Sequence, residues 1–397
     1  MYTDPLFFYS FLISISSILF SLKFFHNSKS ILNLGIIFNL LIIVYAVIGV
    51  NIYSLVFNSN LESLEEILKV VFLSSIAYNL VFNYTNSLYS FNKVIKTPEP
   101  HLINSLFTII SLTYLSIIIF KGILFVDRTQ AFYLLYQNKY IFLLSSFQTV
   151  LYILIAFNHY YKRKARFYFK TATLYLVIMS LITISRHDLF SIFVVNIFFL
   201  IKSNRVSSQK ILLYTTLLIV FFLFFKQILY TQLLAQERAL GPDYSELINW
   251  VRNTINTINS KIKYEYNPYL VTIEGVFNPF IIFDKPLSNW YIKNFFYENY
   301  LAGNKYGFSF IAESYVAGSP YLLIIVYSFY GYLSKKISFK KVSPVNSVVQ
   351  ITVILMMYKL FRSESYNFFR SIVWSYFIPL IIIQFFSVFN LNKNTES

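Results

Sequence analysis

The chain has 397 residues, of which 57% are hydrophobic and only 13% charged, with a mean hydropathy of +0.58. A soluble domain carries about a quarter charged residues, so a soluble globular fold is excluded. There is no cysteine, which excludes disulfides, thiolate metal sites and a cysteine nucleophile. The formal net charge of +16 is spread over short loops. No soluble basic domain exists to carry it, so nucleic acid is not an expected partner.

Apolar runs of about 20 residues recur along the chain, enough to cross about 30 Å of hydrocarbon. They are continuously apolar, which excludes the alternating strands of a membrane β-barrel. The predicted spans are 5–22, 31–57, 67–90, 105–125, 140–160, 171–185, 189–201, 211–229, 318–334, 345–361 and 371–389. The expected fold is therefore an all-α polytopic integral membrane protein of about eleven transmembrane helices, forming one domain over 1–397. The sixth and seventh spans are short and read as tilted, or as a hairpin that does not fully cross. The start, Met1-Tyr2-Thr3-Asp4-Pro5, lacks the basic region of a signal peptide, so the first span is expected to stay in the mature protein.

Alternate loops are basic: Lys23 and Lys29; Lys93 and Lys96; Lys162-Arg163-Lys164; Lys202, Arg205 and Lys210; Lys335-Lys336; and Lys393 in the tail. By the positive-inside rule these loops face the cytoplasm. The N-terminus then lies outside and the C-terminus inside. The basic loops also suit anionic membrane lipid. Abundant Ile, Phe, Tyr, Asn and Lys point to an AT-rich bacterial genome, hence to a bacterial cytoplasmic membrane.

The long polar interval at 230–317, between the eighth and ninth spans, is expected to be an ordered extracytoplasmic loop. Leu247, Ile248, Val251, Ile255 and Ile258 recur at helical spacing. Asn267-Pro268-Tyr269 and Asn278-Pro279-Phe280 read as turns. Short amphipathic helices lying on or dipping into the membrane are expected there, because long ordered loops usually carry function. The dense aromatic residues suit sugar rings, or equally an interfacial belt.

Charges at the outer ends of apolar spans are the informative residues: Lys121, Arg128, Arg186, His187, Asp188, Lys226, Lys359, Arg362, Glu364 and Arg370. Long side chains there can snorkel to the interface. Arg186 and Arg362 sit in very short turns, where an unpaired guanidinium has little structural reason to be. Several outer arginines suggest an anionic substrate, since guanidinium binds phosphate oxygens bidentately. A lipid-linked diphosphate presents phosphates at that depth. No metal site is read, because only His187 of the four histidines faces outward and no Asp-x-Asp pair occurs. The first inter-span loop is cytoplasmic, so glycosyltransferases that keep a catalytic acid in their first outer loop do not match.

Three stretches resemble the Wzy-type O-antigen or capsule repeat-unit polymerases. Thr183-Ile184-Ser185-Arg186-His187-Asp188-Leu189 is similar to that family's arginine turn between two mid-chain spans. Gly307-Phe308-Ser309-Phe310-Ile311-Ala312-Glu313-Ser314-Tyr315, with Gly318, is similar to its Gly-x-Ser-x-x-x-Glu-x-Tyr segment. Phe361-Arg362-Ser363-Glu364, with Phe369-Arg370, is similar to its Arg-Gly-Ser stretch. Ser363 and His187 stand where that family commonly has glycine. The resemblance implies a metal-independent, cofactor-free, inverting glycosyltransferase. The growing glycan on undecaprenyl diphosphate is the donor, and a repeat unit on the same carrier is the acceptor. A chain-length regulator and a flippase are the implied protein partners.

For that chemistry, positive charge near the leaving diphosphate is the main requirement. Arg186 and Arg362 are the first candidates, with Arg128 and Arg370 second. Glu313 is the first candidate for the base, with His187 and Asp188 as alternatives; Glu313 reads equally as an ion-pair partner of an arginine. Ser309 and Tyr315 join the substrate-binding candidates. An O-antigen ligase shares the large outer loop and outer arginines, and a lipid-linked oligosaccharide flippase or other transporter is the rival from another class.

Overall fold

The computed structural model describes residues 5–28, 32–57, 61–87, 99–123, 139–162, 166–183, 186–203, 245–260, 263–277, 285–297, 308–338, 342–357, 359 and 364–393, without the side chains of 139, 140, 142, 186, 187, 245, 246 and 387–393. All regular structure among the described residues is helical. In chain order the helices are α1 (Pro5–Ser28), α2 (Leu34–Phe57), α3 (Leu61–Tyr84), α4 (Pro100–Phe120), α5 (Lys139–Lys162), α6 (Arg166–Ile182), α7 (Arg186–Lys202), α8 (Ser245–Ile258), α9 (Pro268–Phe277), α10 (Leu287–Phe295), α11 (Phe310–Val316), α12 (Leu322–Ile337), α13 (Pro344–Met357), α14 (Ser365–Ile372) and α15 (Ile378–Lys393). A π-helical turn at Ile43–Ile48 interrupts α2, and another at Val373–Phe377 joins α14 to α15.

Local signals explain several starts. The Asn33 side chain accepts a hydrogen bond from Gly35 N at 2.9 Å and caps α2. Pro100 opens α4, where a missing N–H costs nothing. α3 begins earlier than the predicted span, at Leu61. Its first two turns take in Glu62, Glu65 and Glu66, where carboxylates suit the positive end of a helix. Asn267-Pro268-Tyr269 is a helix start rather than a free turn. Asn267 Oδ1 accepts from Tyr269 N at 2.9 Å and from Leu270 N at 3.3 Å. The span predicted at 211–229 and the turn at Asn278-Pro279-Phe280 lie outside the described residues.

Among the described residues, Pro5–Ser28, Leu34–Phe57, Leu61–Tyr84, Pro100–Phe120 and Ser365–Phe386 are long and apolar enough to cross a membrane. Helices α6 and α7 have 17 residues each, about 25 Å at 1.5 Å per residue. That is shorter than the hydrocarbon core. Large apolar side chains such as Phe7, Phe11, Leu19, Ile109 and Leu112 are exposed along α1 and α4, as a lipid-facing surface requires. The chain is an all-α, multi-pass membrane protein.

It forms two compact units, one of residues 1–88, 216–338 and 356–370, the other of 89–215, 339–355 and 371–397. In the first, α12 runs along α3. A Cβ at Gly331 would lie 2.6 Å from the Tyr78 carbonyl oxygen, so glycine permits that approach. The helices of the long loop pack against these spans. Trp250 of α8 faces Tyr45 in the α2 π-turn at 6.4 Å, and Leu247 and Val251 lie against Gly49. Gly49 is eight residues short of the end of α2 at Phe57, about 12 Å along the axis. Phe310 of α11 meets Tyr330 at 5.4 Å, and Tyr330 is again eight residues into α12. The loop helices thus reach well down the sides of the spans.

In the second unit α5 packs on α4, α6 and α7. Its interior is tied by neutral polar groups. Gln148 Nε2 donates to Ser111 Oγ at 3.2 Å and to Tyr175 Oη at 3.1 Å, and Asn196 Nδ2 donates to Tyr152 Oη at 2.8 Å.

Candidate functional site

The site lies in the first unit, where α9, α10, α11 and the start of α14 meet. Ser309 is extended (φ −126°, ψ 152°), and its hydroxyl accepts from Ala312 N at 3.1 Å. That N-cap fixes the short helix α11. The same hydroxyl is 3.0 Å from Thr254 Oγ1 of α8, which ties the two loop helices together. Ser309 is wholly buried, and this use of its side chain is structural. Gly318, at φ +111°, follows α11 and lets the chain turn into α12.

Glu313 lies in the first turn of α11 and is only 1% exposed. Its carboxylate reaches the N-terminus of α14. Ser365 N donates to Oε2 at 2.8 Å, and the Ser365 hydroxyl donates to Oε1. Ser365 is the first residue of α14, so its N–H has no partner within the helix, and a carboxylate is a favourable group there. Among the described residues Glu313 makes no ion pair, so the ion-pair reading of this residue finds no support there. Burial pushes its carboxyl up to about 8; the Ser365 hydrogen bonds oppose the shift, and the nearby Glu364 carboxylate adds to it.

Glu364 is the second buried carboxylate, also 1% exposed. Ser288 N donates to it at 3.1 Å, Ser288 Oγ at 2.6 Å and Asn367 Nδ2 at 2.9 Å. Ser288 is in the first turn of α10, so Glu364 in turn occupies a helix N-terminus. Hydroxyl and phenol groups complete the wall. Thr272 Oγ1 is 2.5 Å from Ser365 Oγ. Tyr264 donates to the Lys285 carbonyl. Burial, then the fields of Glu364 and Glu313, hold the Tyr264 hydroxyl well above its ordinary value. Burial pushes Tyr269 up to about 12, opposed by a hydrogen bond with Ser314 and assisted by Glu313.

The other sequence candidates are placed as follows. Tyr315 is half-buried beside Glu66, and burial together with that carboxylate keeps its hydroxyl protonated. The Arg370 guanidinium lies 5.7 Å from the centre of the Tyr366 ring. Asp188 is in the second unit, where it lines a small, mostly apolar cleft with Gln148, Tyr152, Leu176, Met179 and Ser191. Arg128 and Arg362, and the side chains of Arg186 and His187, lie outside the described residues. Of the candidates, Glu313, Ser309 and Tyr315 share one short helix, and Glu313 meets the C-terminal arginine-bearing stretch through Ser365. No cluster of three or more potential metal ligands occurs among the described residues.

Sequence reasoning missed Ser288, Ser365, Thr254 and Thr272, and read Glu364 as an outer-end charge within the Phe361-Arg362-Ser363-Glu364 stretch, with no role of its own. One signal was available for Ser365: Glu364-Ser365 directly precedes an amphipathic run, the pattern of a helix start. Ser288 and Thr272 carry no comparable local mark.

No protein-family model, no curated protein and no solved structure matches the chain. Its class therefore rests on its own fold: a multi-pass α-helical membrane protein with a buried pair of carboxyl groups clasped by serines.

Proposed function

We propose that the protein is a polysaccharide polymerase of the Wzy type. In this reading it acts at the outer face of a bacterial cytoplasmic membrane, through about eleven spans with the N-terminus outside. It transfers a growing glycan from undecaprenyl diphosphate to the terminal sugar of a repeat unit on the same carrier. The acceptor hydroxyl attacks the anomeric carbon of the donor, the bond from that carbon to the phosphate oxygen breaks, and undecaprenyl diphosphate leaves. Glu313 takes the hydroxyl proton. Arg186 and Arg362 balance the charge on the leaving diphosphate, with Arg128 and Arg370 in support.

The observation that carries this reading is the union of two of its three motif stretches. Glu313, from the Gly-x-Ser-x-x-x-Glu segment, is bound by Ser365, three positions after Arg362. A carboxyl poised near 8 suits a base that must accept a proton and then lose it.

Deleting the gene and running surface and lipid-linked glycan on a gel tests the reading. A polymerase predicts loss of the long-chain ladder while single repeat units remain. Long polymer retained on the lipid carrier would instead identify a ligase. The buried, protonatable Glu313 also favours a second reading, a proton-coupled flippase. That reading predicts single units accumulating on the cytoplasmic side. An unchanged ladder would overturn all three. Arg186→Ala and Arg362→Ala are each expected to lower transfer by about 100-fold or more at unchanged protein abundance, the scale for losing a charge-stabilising donor.

A further inference from the structure

We propose that Glu364 is the positioning residue of this site, holding Glu313 through a chain of serine-to-carboxylate clasps that runs from α10 through the start of α14 to α11. The proposal rests on the polymerase reading for what the clasp is used for. Its geometry stands on its own.

The same device occurs twice in series. Ser288 offers its N–H and its hydroxyl to Glu364. The next residue, Ser365, offers its N–H and its hydroxyl to Glu313. The partners are 76 and 52 residues apart in sequence, so each clasp is a long-range tie. Both serines are in the first turn of a helix, where backbone N–H groups lack internal partners. Each carboxylate therefore does for a neighbouring helix what Ser309 does for α11. Asn367 adds a third donor to Glu364 from within α14. Displacing Glu364 would free the end of α14 and with it both donors that orient Glu313.

Glu364 also acts through charge. Two carboxylates near one another disfavour double ionisation. The titratable groups facing Glu313 among the described residues are Glu364 at the start of α14, Tyr264 in the segment before α9, Tyr269 on α9 and Tyr330 on α12. The phenols of Tyr264 and Tyr269 hold their protons, and among these groups Glu364 is the other carboxylate that raises the proton affinity of Glu313. The donors from Ser288 and Asn367 favour the ionised form of Glu364. A charged Glu364 thus raises the proton affinity of Glu313 toward working pH, where a base can both accept and release a proton.

The test is an infrared titration of the purified full-length protein in detergent, following the band of protonated carboxyl groups. The component lost in Glu313→Gln belongs to Glu313. Glutamine keeps an acceptor for Ser288 and removes only the charge, so Glu364→Gln is expected to move the midpoint of that component down by about one pH unit, an ordinary single-charge perturbation. It should also shorten or abolish the glycan ladder at normal abundance. An unchanged or raised midpoint overturns the proposal whatever the ladder shows. If Glu364→Gln does not fold, Ser288→Ala serves. Removing one donor loosens the clasp while Glu364 keeps its charge, so the Ser365 donors are less well held and the Glu313 midpoint is expected to rise; no shift overturns the proposal. A lowered midpoint in Glu364→Gln, together with a normal ladder from Glu313→Gln, would support the clasp and overturn the polymerase reading.

Discussion

The two units both bury polar side chains, but of different kinds. In the second, Gln148, Ser111, Tyr175, Tyr152 and Asn196 join through neutral hydrogen bonds. Such bonds hold membrane helices together and cost little when satisfied. In the first, Glu313 and Glu364 are sealed at 1% exposure beside one another. A buried carboxyl is expensive in its charged form and shifts its proton affinity instead. Neutral networks of this kind serve packing. A buried carboxyl pair costs stability in its charged form, and the serine donors at two helix N-termini offset part of that cost.

The largest stability change should come from Glu313→Gln at alkaline pH. The native protein holds the Glu313 proton more tightly than the unfolded chain. The associated stability is complete below the ordinary carboxyl value near 4.5 and is lost as pH rises through about 8. Glutamine mimics the protonated side chain and does not titrate. Above pH 8 the variant should therefore be more stable than wild type, by an amount on the order of a few kcal/mol. Thermal unfolding across pH checks this, and parallel curves would place Glu313 outside a buried site.

Gly275→Ala should be next. Its Cβ would fall 2.3 Å from the Tyr366 ring, and overpacking of this kind costs about 1–3 kcal/mol. Tyr366 adjoins Ser365, so glycan transfer should fall along with the melting temperature. Ser365→Ala leaves the backbone donor but removes the hydroxyl. About 1 kcal/mol of stability should be lost, and the Glu313 midpoint should rise, because a donor to its charged form is gone. A lowered midpoint would contradict the clasp. The smallest effect belongs to the second unit. Gln148→Ala should cost about 0.6 kcal/mol, the average for hydrogen bonds between membrane helices, with the ladder intact. Loss of the ladder at full abundance would show that the neutral network does more than pack.

Much of the fold was legible because membrane spans announce themselves by composition and length. Helices stand at the predicted spans among the described residues, with starts displaced where caps decide them, as at Leu61. The loop helix from Ser245 was visible in its apolar spacing, and its burial follows from Trp250 and Val251. What could not be read was where that helix goes. Nothing local in Leu247 says that it lies against Gly49, nearly 200 residues earlier in the chain. Glu313 stood out as a lone carboxyl at the mouth of a span. Its serine clasp did not, because a hydroxyl 52 residues away leaves no periodic signal. Asp188 shows the converse: two positions after Arg186 in sequence, it lines a small cleft among the helices of the second unit, which no local pattern announces.

The central claim is that Glu313 is the base of a glycan transfer. Its most direct test is the glycan ladder of a deletion strain complemented with Glu313→Gln, with membrane abundance measured on the same cells. Wild-type abundance, single repeat units and no long polymer are expected. A full-length ladder from that variant would contradict the claim.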